Sequence, residues 1–532
     1  MLVGAASLIA GCSAQPIEIS SLYPGDAQMW DHIFEQGDAE PIDFESDPLG
    51  VIVPHHLIVA EEMAKFYSGL SEVEDGVKTI YILAPNHYGT GEFNVQSCKN
   101  CVYRTEEGPV ELEKEVIAGM VEAGLVHYQN EGFVQEHSFF SHTPFIKHYF
   151  PEAKIVPLML DWDTPLAELD ELVAALDKRV FSDSLFLASV DFSHYQPPEV
   201  ADYHDQAAYT TIKNFDLLNV HDLEIDSPAS IYTLLKLMEG REYMKAERLA
   251  HTNLYQYVEE FTDGTTSHQF FAFFGGEKAA VPAVSILSVG NVVGGEELGF
   301  GTNWRWDPEY DVTTDISAEK YFRDIRGTED RFFVGSDFIV FDLPNNTCEL
   351  RNQNGMTVAF CEFVEGYEPV DEEAASAYEI VEEFSAQADL TYLLYQFAGG
   401  ELDFGRRSKA ASYVDSGVDV FVGRGLDEGV TPFIYYEGSL IFYSLGDFTE
   451  ENKLATELAE DSEGAAIGLY VTENFYEIYV FGVDVVKGYP QYKDQSLRQA
   501  FFNSLVGDES LEDIVESDSV KGVLRIPRYV LD

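Results

Sequence analysis

Positive charge is scarce in this chain. Lys and Arg total 32 against 94 Asp and Glu, a formal net charge of −62 over 532 residues. No basic stretch can track a phosphate backbone, which excludes nucleic acid as a partner. An anionic lipid surface repels such a chain as well. The acids are spread throughout, with no purely acidic tail. Solubility, above all in a salty medium, therefore accounts for them better than cation gathering by an acidic surface. Long apolar runs are missing too, since no internal stretch approaches the length of a membrane span. What is present suffices for real cores: 45% of residues are hydrophobic and 13% aromatic, which excludes global disorder. Domains of roughly 100 to 250 residues predict two or three units.

Cysteine is also sparse, at five residues. Met1–Gly11 is a short apolar run ending at Cys12. Leu8-Ile9-Ala10-Gly11-Cys12 resembles a bacterial lipobox, which makes residues 1–11 the remnant of a lipoprotein signal and Cys12 a lipidation site. Residues 12–47 read as a polar tether holding the protein off a membrane through that lipid alone. The four remaining cysteines form an even number, as export to an oxidising compartment requires. Cys348 and Cys361 flank a predicted hairpin at Asn354-Gly355. Cys98 and Cys101 sit in a loop-like SCKNC. Two local disulfides are expected, Cys98–Cys101 and Cys348–Cys361. A redox pair or half a zinc site is the competing reading of the first.

From 48 to 277 short apolar runs alternate with amphipathic stretches. VIVPHH, TIYILAPNHYG, KIVPLML and SLFLASVDFSHY read as buried strands ending in polar loops. LIVAEEMAKFYSGL and LAELDELVAALDKRV read as helices. This alternation predicts an α/β sheet. Residues 275–282 read as a linker. A second α/β series spans 284–495, and 496–532 form a peripheral segment.

Seven of the 13 histidines (His55, His56, His87, His127, His137, His142 and His148) fall within one short stretch. Polar clusters follow the predicted strands: Pro54-His55-His56, Asn86-His87 and Asp191-Phe192-Ser193-His194. Glu136-His137 opens a predicted helix. In open α/β sheets ligands bind beyond the carboxyl ends of strands. His, Asp and Glu bind borderline metals and move protons near neutral pH. A lone histidine there would be unremarkable, but several converging clusters predict a site.

The series PHH, ILAPNHYG, EHSFFSHTPFI, IVPLML and ASVDFSHY resembles the Memo family, which shares its fold with LigB-type extradiol dioxygenases. The resemblance covers residues 48–275. It implies that His55 and His87 bind a transition metal (Fe(II), Cu or Zn) from adjacent parallel strands. His251 is implied as a third ligand, with Glu259 an equal candidate. Glu136, His137, Asp191 and His194 line the same cleft as catalytic candidates. His194 or His137 would transfer protons and Asp191 would orient an imidazole. This chain departs from the family at His56-Leu57, Phe140, His142 and Thr143.

The later stretch SKAASYVDSGVDVFVGRG…IYYEGSLIFYSLGDF resembles the CapA family, linked to poly-γ-glutamate synthesis and folded like a calcineurin-type metallophosphoesterase. Gly417, Asp419, Gly423 and Ser444-Leu445-Gly446 keep the frame. The metal-binding histidines are replaced by Arg424-Gly425-Leu426-Asp427, the opening Asp by Asn291, and a further motif by Tyr395-Gln396-Phe397-Ala398. A dinuclear site needs most of its ligands together, so this domain is expected to be non-catalytic.

Together these readings predict two α/β domains in an exported lipoprotein. The first is a candidate metal-dependent oxidoreductase or dioxygenase-like enzyme acting on a small molecule or peptide. The runner-up is a cell-envelope binding or scaffold protein without turnover.

Overall fold

The computed structural model describes residues 16–20, 27–74, 76–258, 264–289, 291–292, 332–334, 346–366, 375–426, 429–449, 462–486, 489–493, 495–506, 516–518 and 523–528. Cys12 and Glu259 lie outside these, as does Asp427. No described helix is long and apolar enough to cross a membrane.

The chain divides into two compact units. Met1–Asp191, Ile225–His251 and His268–Glu277 form the first, and Phe192–Glu224, Thr252–Ser267 and Lys278–Asp532 the second. The sequence places a single break near 278, but the backbone changes unit five times, after Asp191, Glu224, His251, Ser267 and Glu277.

In the first unit the strands are β1 (Ile17–Ser20), β2 (Gly50–Val53), β3 (Thr79–Pro85), β4 (Val95–Ser97), β5 (Cys101–Thr105), β6 (Gly108–Val110), β7 (His127–Tyr128), β8 (Lys154–Leu160), β9 (Ser184–Ser189), β10 (Lys245–Asn253) and β11 (Ser267–Phe274). Eight of them form one sheet in the order β10-β11-β2-β9-β3-β8-β4-β7. Its centre, β2-β9-β3-β8, is parallel. The runs GVIV and SLFLAS are buried at every position. A parallel sheet covered on both faces demands such uninterrupted apolar sequence.

Helix α1 (Ala27–Ala39) and helix α2 (Ala60–Val73) pack together. α2 buries Met63, Ala64, Phe66, Tyr67 and Leu70, the i, i+3, i+4, i+7 stripe of an amphipathic helix. Phe66 lies against Phe270 of β11, ring centroids 5.5 Å apart. Gly69 lets the chain pass at Ile42, because a Cβ there would lie 1.8 Å from the Ile42 carbonyl oxygen. The remaining helices of the first unit are α3 (Lys114–Glu122), α4 (Gly132–Gln135), α5 (His137–Phe140), α6 (Thr143–Tyr149), α7 (Leu166–Asp177) and α9 (Pro228–Gly240), while α8 (Pro198–Asn214) belongs to the second unit. α9 packs on β2, β3 and β9.

The segment read as a tether carries folded structure. Ile17–Ser20 pairs in parallel with β5, Ile17 opposite Cys101. α1 buries Trp30, Ile33 and Phe34. Its three-residue apolar stripe is diluted by Asp31, Glu35 and Asp38, so it reads as polar in sequence. Cys98 and Cys101 are joined as a disulfide, Cα–Cα 5.8 Å.

The second unit holds β12 (Ala283–Val289), β13 (Asn291–Val292), β14 (Phe332–Val334), β15 (Thr347–Gln353), β16 (Met356–Val364), β17 (Leu390–Gln396), β18 (Val420–Arg424), β19 (Ile434–Tyr436) and β20 (Ser439–Phe442). The strands β15-β16-β17-β18-β20-β19 make a sheet whose run from β16 to β20 is parallel. A second sheet is built around the long antiparallel pair Ser462–Thr472 and Phe475–Val486. The hairpin β15–β16 turns on Asn354 and Gly355, with φ of 49° and 86°. Two positive φ values select Asn-Gly. Cys348 faces Cys361 across the hairpin, and the two are bonded. Both units are α/β, as the strand and helix alternation predicts.

Candidate metal centre

Three strand ends of the first unit meet. β9 lies between β2 and β3, with Val53 opposite Ser189 and Leu83 opposite Ala188. The sequence reading places the exits of β2 and β3 side by side. Instead β9, with Asp191 just beyond its end, runs between the two strands. Strand order is set by tertiary packing, which local sequence does not encode. Glu136 and His137 arrive at the start of α5. A residue outside every sequence expectation completes the set: Asp226, in the loop before α9.

His55 is held on three sides. Its backbone N–H donates to Asp191 Oδ1 at 3.1 Å. Its Nδ1 lies 3.0 Å from Ser189 Oγ. Its Nε2 makes no hydrogen bond although buried, and stands 3.3 Å from Asp191 Oδ2 and 3.2 Å from Asp226 Oδ2. The tautomer follows from proton counting. Ser189 spends its one hydroxyl proton on the Ser138 carbonyl at 2.8 Å. Both imidazole nitrogens facing that hydroxyl must then be N–H donors: His55 Nδ1, and His142 Nε2 at 2.9 Å. His142 Nδ1 in turn accepts from Tyr67 O–H at 2.9 Å. Burial first, then the His55 charge, take the His142 pKa down to about 3, so it is neutral as this chain requires. His55 Nε2 therefore presents its lone pair, or a proton, to two carboxylates.

His87 is arranged alike. Its Nδ1 meets Glu136 Oε1 at 2.8 Å and its backbone N–H donates to Glu136 Oε2 at 3.0 Å. Its Nε2 faces Asp226 Oδ2 at 3.5 Å. Glu136 also accepts from the N–H and hydroxyl of Ser138, at 3.2 and 2.8 Å. With its acceptor positions engaged, this buried carboxylate orients His87. A carboxylate on the far nitrogen of an imidazole fixes the tautomer that a metal-binding histidine needs.

The electrostatics favour the protonated form of both imidazoles. Burial lowers the His55 pKa, but Asp191 and Asp226 outweigh it and hold the group above its ordinary value. The same contest, with Asp226 and Glu136 as the partners, takes His87 up to about 10. Burial opposes ionisation of Asp226 and Asp191, and the neighbouring imidazoles overcome it, so both carboxyls sit below their ordinary range. His137 goes the other way, to about 4, through burial and then the charges on His55 and His87. Its ring stacks on His87 with centroids 4.4 Å apart.

Groups of these donors could hold a small divalent ion. Ligand arms of about 2.0–2.2 Å give donor–donor edges of about 3.0–3.6 Å. Asp226 Oδ2 stands 3.2 and 3.5 Å from the two Nε2 atoms. The ligand atoms of His55, His87 and His137 lie within 4.8 Å of one another, as do those of His55, Asp191 and Asp226. His251 lies on β10 and joins neither group. His194 belongs to the stretch assigned to the second unit and is in no convergent group among the described residues. Asp226 gave no signal in sequence, since Asp226-Ser227-Pro228 reads as an ordinary helix start.

In the second unit, Arg424 closes β18. It pairs with Glu362 at 3.1 Å in a buried position.

The profile of the Memo-like protein family matches residues 20–262. A MEMO1 family protein of Pyrobaculum arsenaticum is 33% identical over 229 residues, covering 41% of this chain and 78% of the relative. That of Methanothermobacter thermautotrophicus is 30% identical over 173 residues, 31% of this chain and 61% of the relative. The match thus spans less than two thirds of this second relative. Among solved structures, a phosphatase from Mycoplasma pneumoniae is similar at a TM-score of 0.24 and 9% identity, over 42% of this chain and 99% of its own. That likeness is too low to bear on function. Through the segment that carries the histidine cleft, this chain belongs to the Memo-like family.

Proposed function

We propose that the first unit is a transition-metal-dependent oxidoreductase of dioxygenase-like type, with His55, His87 and Asp226 holding the ion. One observation carries this reading: two imidazole Nε2 atoms, each fixed in tautomer from behind, face one buried carboxylate oxygen at 3.2 and 3.5 Å. Two histidines and one carboxylate form the set that suits Fe(II), whose open positions serve dioxygen and an organic substrate. Mg and Ca prefer all-oxygen shells and fit poorly.

The remaining groups have roles that follow from their protonation. Glu136 holds His87 from behind. Ser189, backed by His142 and Tyr67, does the same for His55. His137 is neutral near pH 7, close to both imidazoles and partly exposed, which suits it to take a proton from a small-molecule substrate. We place His194 outside this set, and Asp226 takes the ligand role that the family resemblance gave to His251.

The setting is proposed on sequence alone. Leu8–Cys12 supports an exported lipoprotein anchored through Cys12, and the intact frame around Gly417 and Ser444-Leu445-Gly446 supports a degenerate, non-catalytic CapA-like second unit.

The test is oxygen uptake. Protein loaded with Fe(II) without air is mixed with a catechol and oxygen in an electrode cell. Uptake above that of the His55→Ala/His87→Ala variant is expected, and equal uptake across a panel of catechols would refute the enzymatic reading.

A further inference from the structure

Next to this centre lies a second group of donors that the reading above does not use. His55 and His56 are consecutive in extended chain leaving β2, so their side chains diverge. His55 turns towards β9 and β3. His56 meets His268, on the other side of β2. β11 runs antiparallel to β2 with Phe271 opposite Ile52, which sets the first residues of β11 beside the exit of β2. His268 Nε2 stands 3.3 Å from His56 Nδ1. Asp191 completes the group, and the ligand atoms of His56, Asp191 and His268 all lie within 4.8 Å of one another.

Three features make this more than a chance contact. The 3.3 Å between the two ring nitrogens is the edge of a tetrahedron whose metal–nitrogen arms are about 2.0–2.1 Å, since the edge is about 1.6 times the arm. His268 and Asp191 are buried, at 0% and 3% exposure, while His56 is partly open and leaves a path from solvent. Asp191 also belongs to the group made by His55 and Asp226, so one carboxylate lies between two sets of donors.

We propose that His56, Asp191 and His268 form a second divalent transition-metal position, adjacent to the first, with the Asp191 carboxylate also touching His55 of that centre. Two neutral imidazoles and a carboxylate suit Zn(II), Fe(II) or Cu(II) rather than Mg or Ca. The position requires different imidazoles from the first centre, so the two stand or fall separately.

The experiment uses the full chain, stripped with a chelator and washed with excess magnesium to occupy surface carboxylates. Zn(II) is the probe, and bound zinc is measured after equilibrium dialysis. Wild type is expected to hold two ions per chain. His56→Gln and His268→Gln should each hold one, and the His55→Ala/His87→Ala variant should keep one. His268 is buried, so if its variant does not fold, the partly exposed His56→Gln decides alone. One ion in wild type that is unaffected by His56→Gln and lost in the His55/His87 variant overturns the second position while leaving the first intact. Two ions retained in His56→Gln also overturn it. One ion lost through His56→Gln but unaffected by the His55/His87 variant supports the second position and removes the first.

Discussion

Metal uptake at the His55–His87–Asp226 centre should expel at least the proton on His87. In the stripped protein His87 carries a proton on Nε2 at neutral pH, because its pKa is raised to about 10, and Asp191 and Asp226 move His55 in the same direction. Ligation needs that nitrogen bare, so His87 gives up its proton. Asp226 is already ionised and gives none. His137, at about 4, is already neutral and gives none. Exchanging protons for a divalent ion limits the change in local charge, which is why a buried site can make it. Each released proton changes apparent affinity tenfold per pH unit, so the His87 proton alone should raise affinity about 10-fold from pH 6.5 to 7.5, or roughly 1.4 kcal/mol. The slope flattens as pH approaches 10 and His87 loses its proton unaided. Isothermal titration with Zn(II) in buffers of different ionisation enthalpy counts the protons directly, and His56→Gln isolates the first ion. Release of fewer than about one proton at pH 7 would mean the imidazoles are neutral before the ion arrives, and would refute this account of the site.

Other outcomes follow from the same contacts. Between pH 7 and 10 the stripped protein should lose stability: a histidine raised on folding stabilises fully below its unfolded value of about 6.5 and loses that contribution as pH passes its folded value. For His87 the loss is on the order of a few kcal/mol, read as a falling Tm that one equivalent of zinc abolishes; a flat Tm over this range would count against the ion-paired imidazole. Glu136→Gln keeps the shape behind His87 but removes the charge, and should weaken zinc binding about 10- to 100-fold in competition with a chromophoric chelator; unchanged affinity would show that Glu136 does not tune the ligand. Ser189→Ala leaves two buried imidazole N–H groups and the Ser138 carbonyl without their partner. It should cost about 1–3 kcal/mol in urea unfolding, and a cost near zero would break the proton assignment that runs from Tyr67 to His55.

The sequence discloses those parts of the site that follow strands. His55, His87 and Asp191 each stand one to two residues beyond a continuous apolar run, and such runs are what a doubly covered parallel sheet imposes. Glu136 and His137 are readable because Glu136 caps the helix that His137 begins. Asp226 is invisible for the opposite reason: it sits in an irregular loop, looks like any residue before a helix, and is held at the site by Asp191, 35 residues away, from whose N–H its side chain accepts and whose carbonyl its own N–H reaches. The placement of β9 between β2 and β3 is likewise a property of the whole sheet. His142 is conspicuous in sequence only as a departure from the family pattern, and the hydroxyl that gives it a role belongs to Ser189 on a distant strand. Residues 17–39 escape notice because a stripe of Trp30, Ile33 and Phe34 among acids carries too little apolar signal to mark a helix.

His55 and His87 are expected to hold a transition-metal ion together. Bound metal per chain settles it most directly, in magnesium-washed wild type, in the His55→Ala/His87→Ala variant, and in Asn291→Ala of the second unit as a control. The double variant should hold one ion fewer than wild type while the control matches it. Equal metal in wild type and the double variant would contradict the claim.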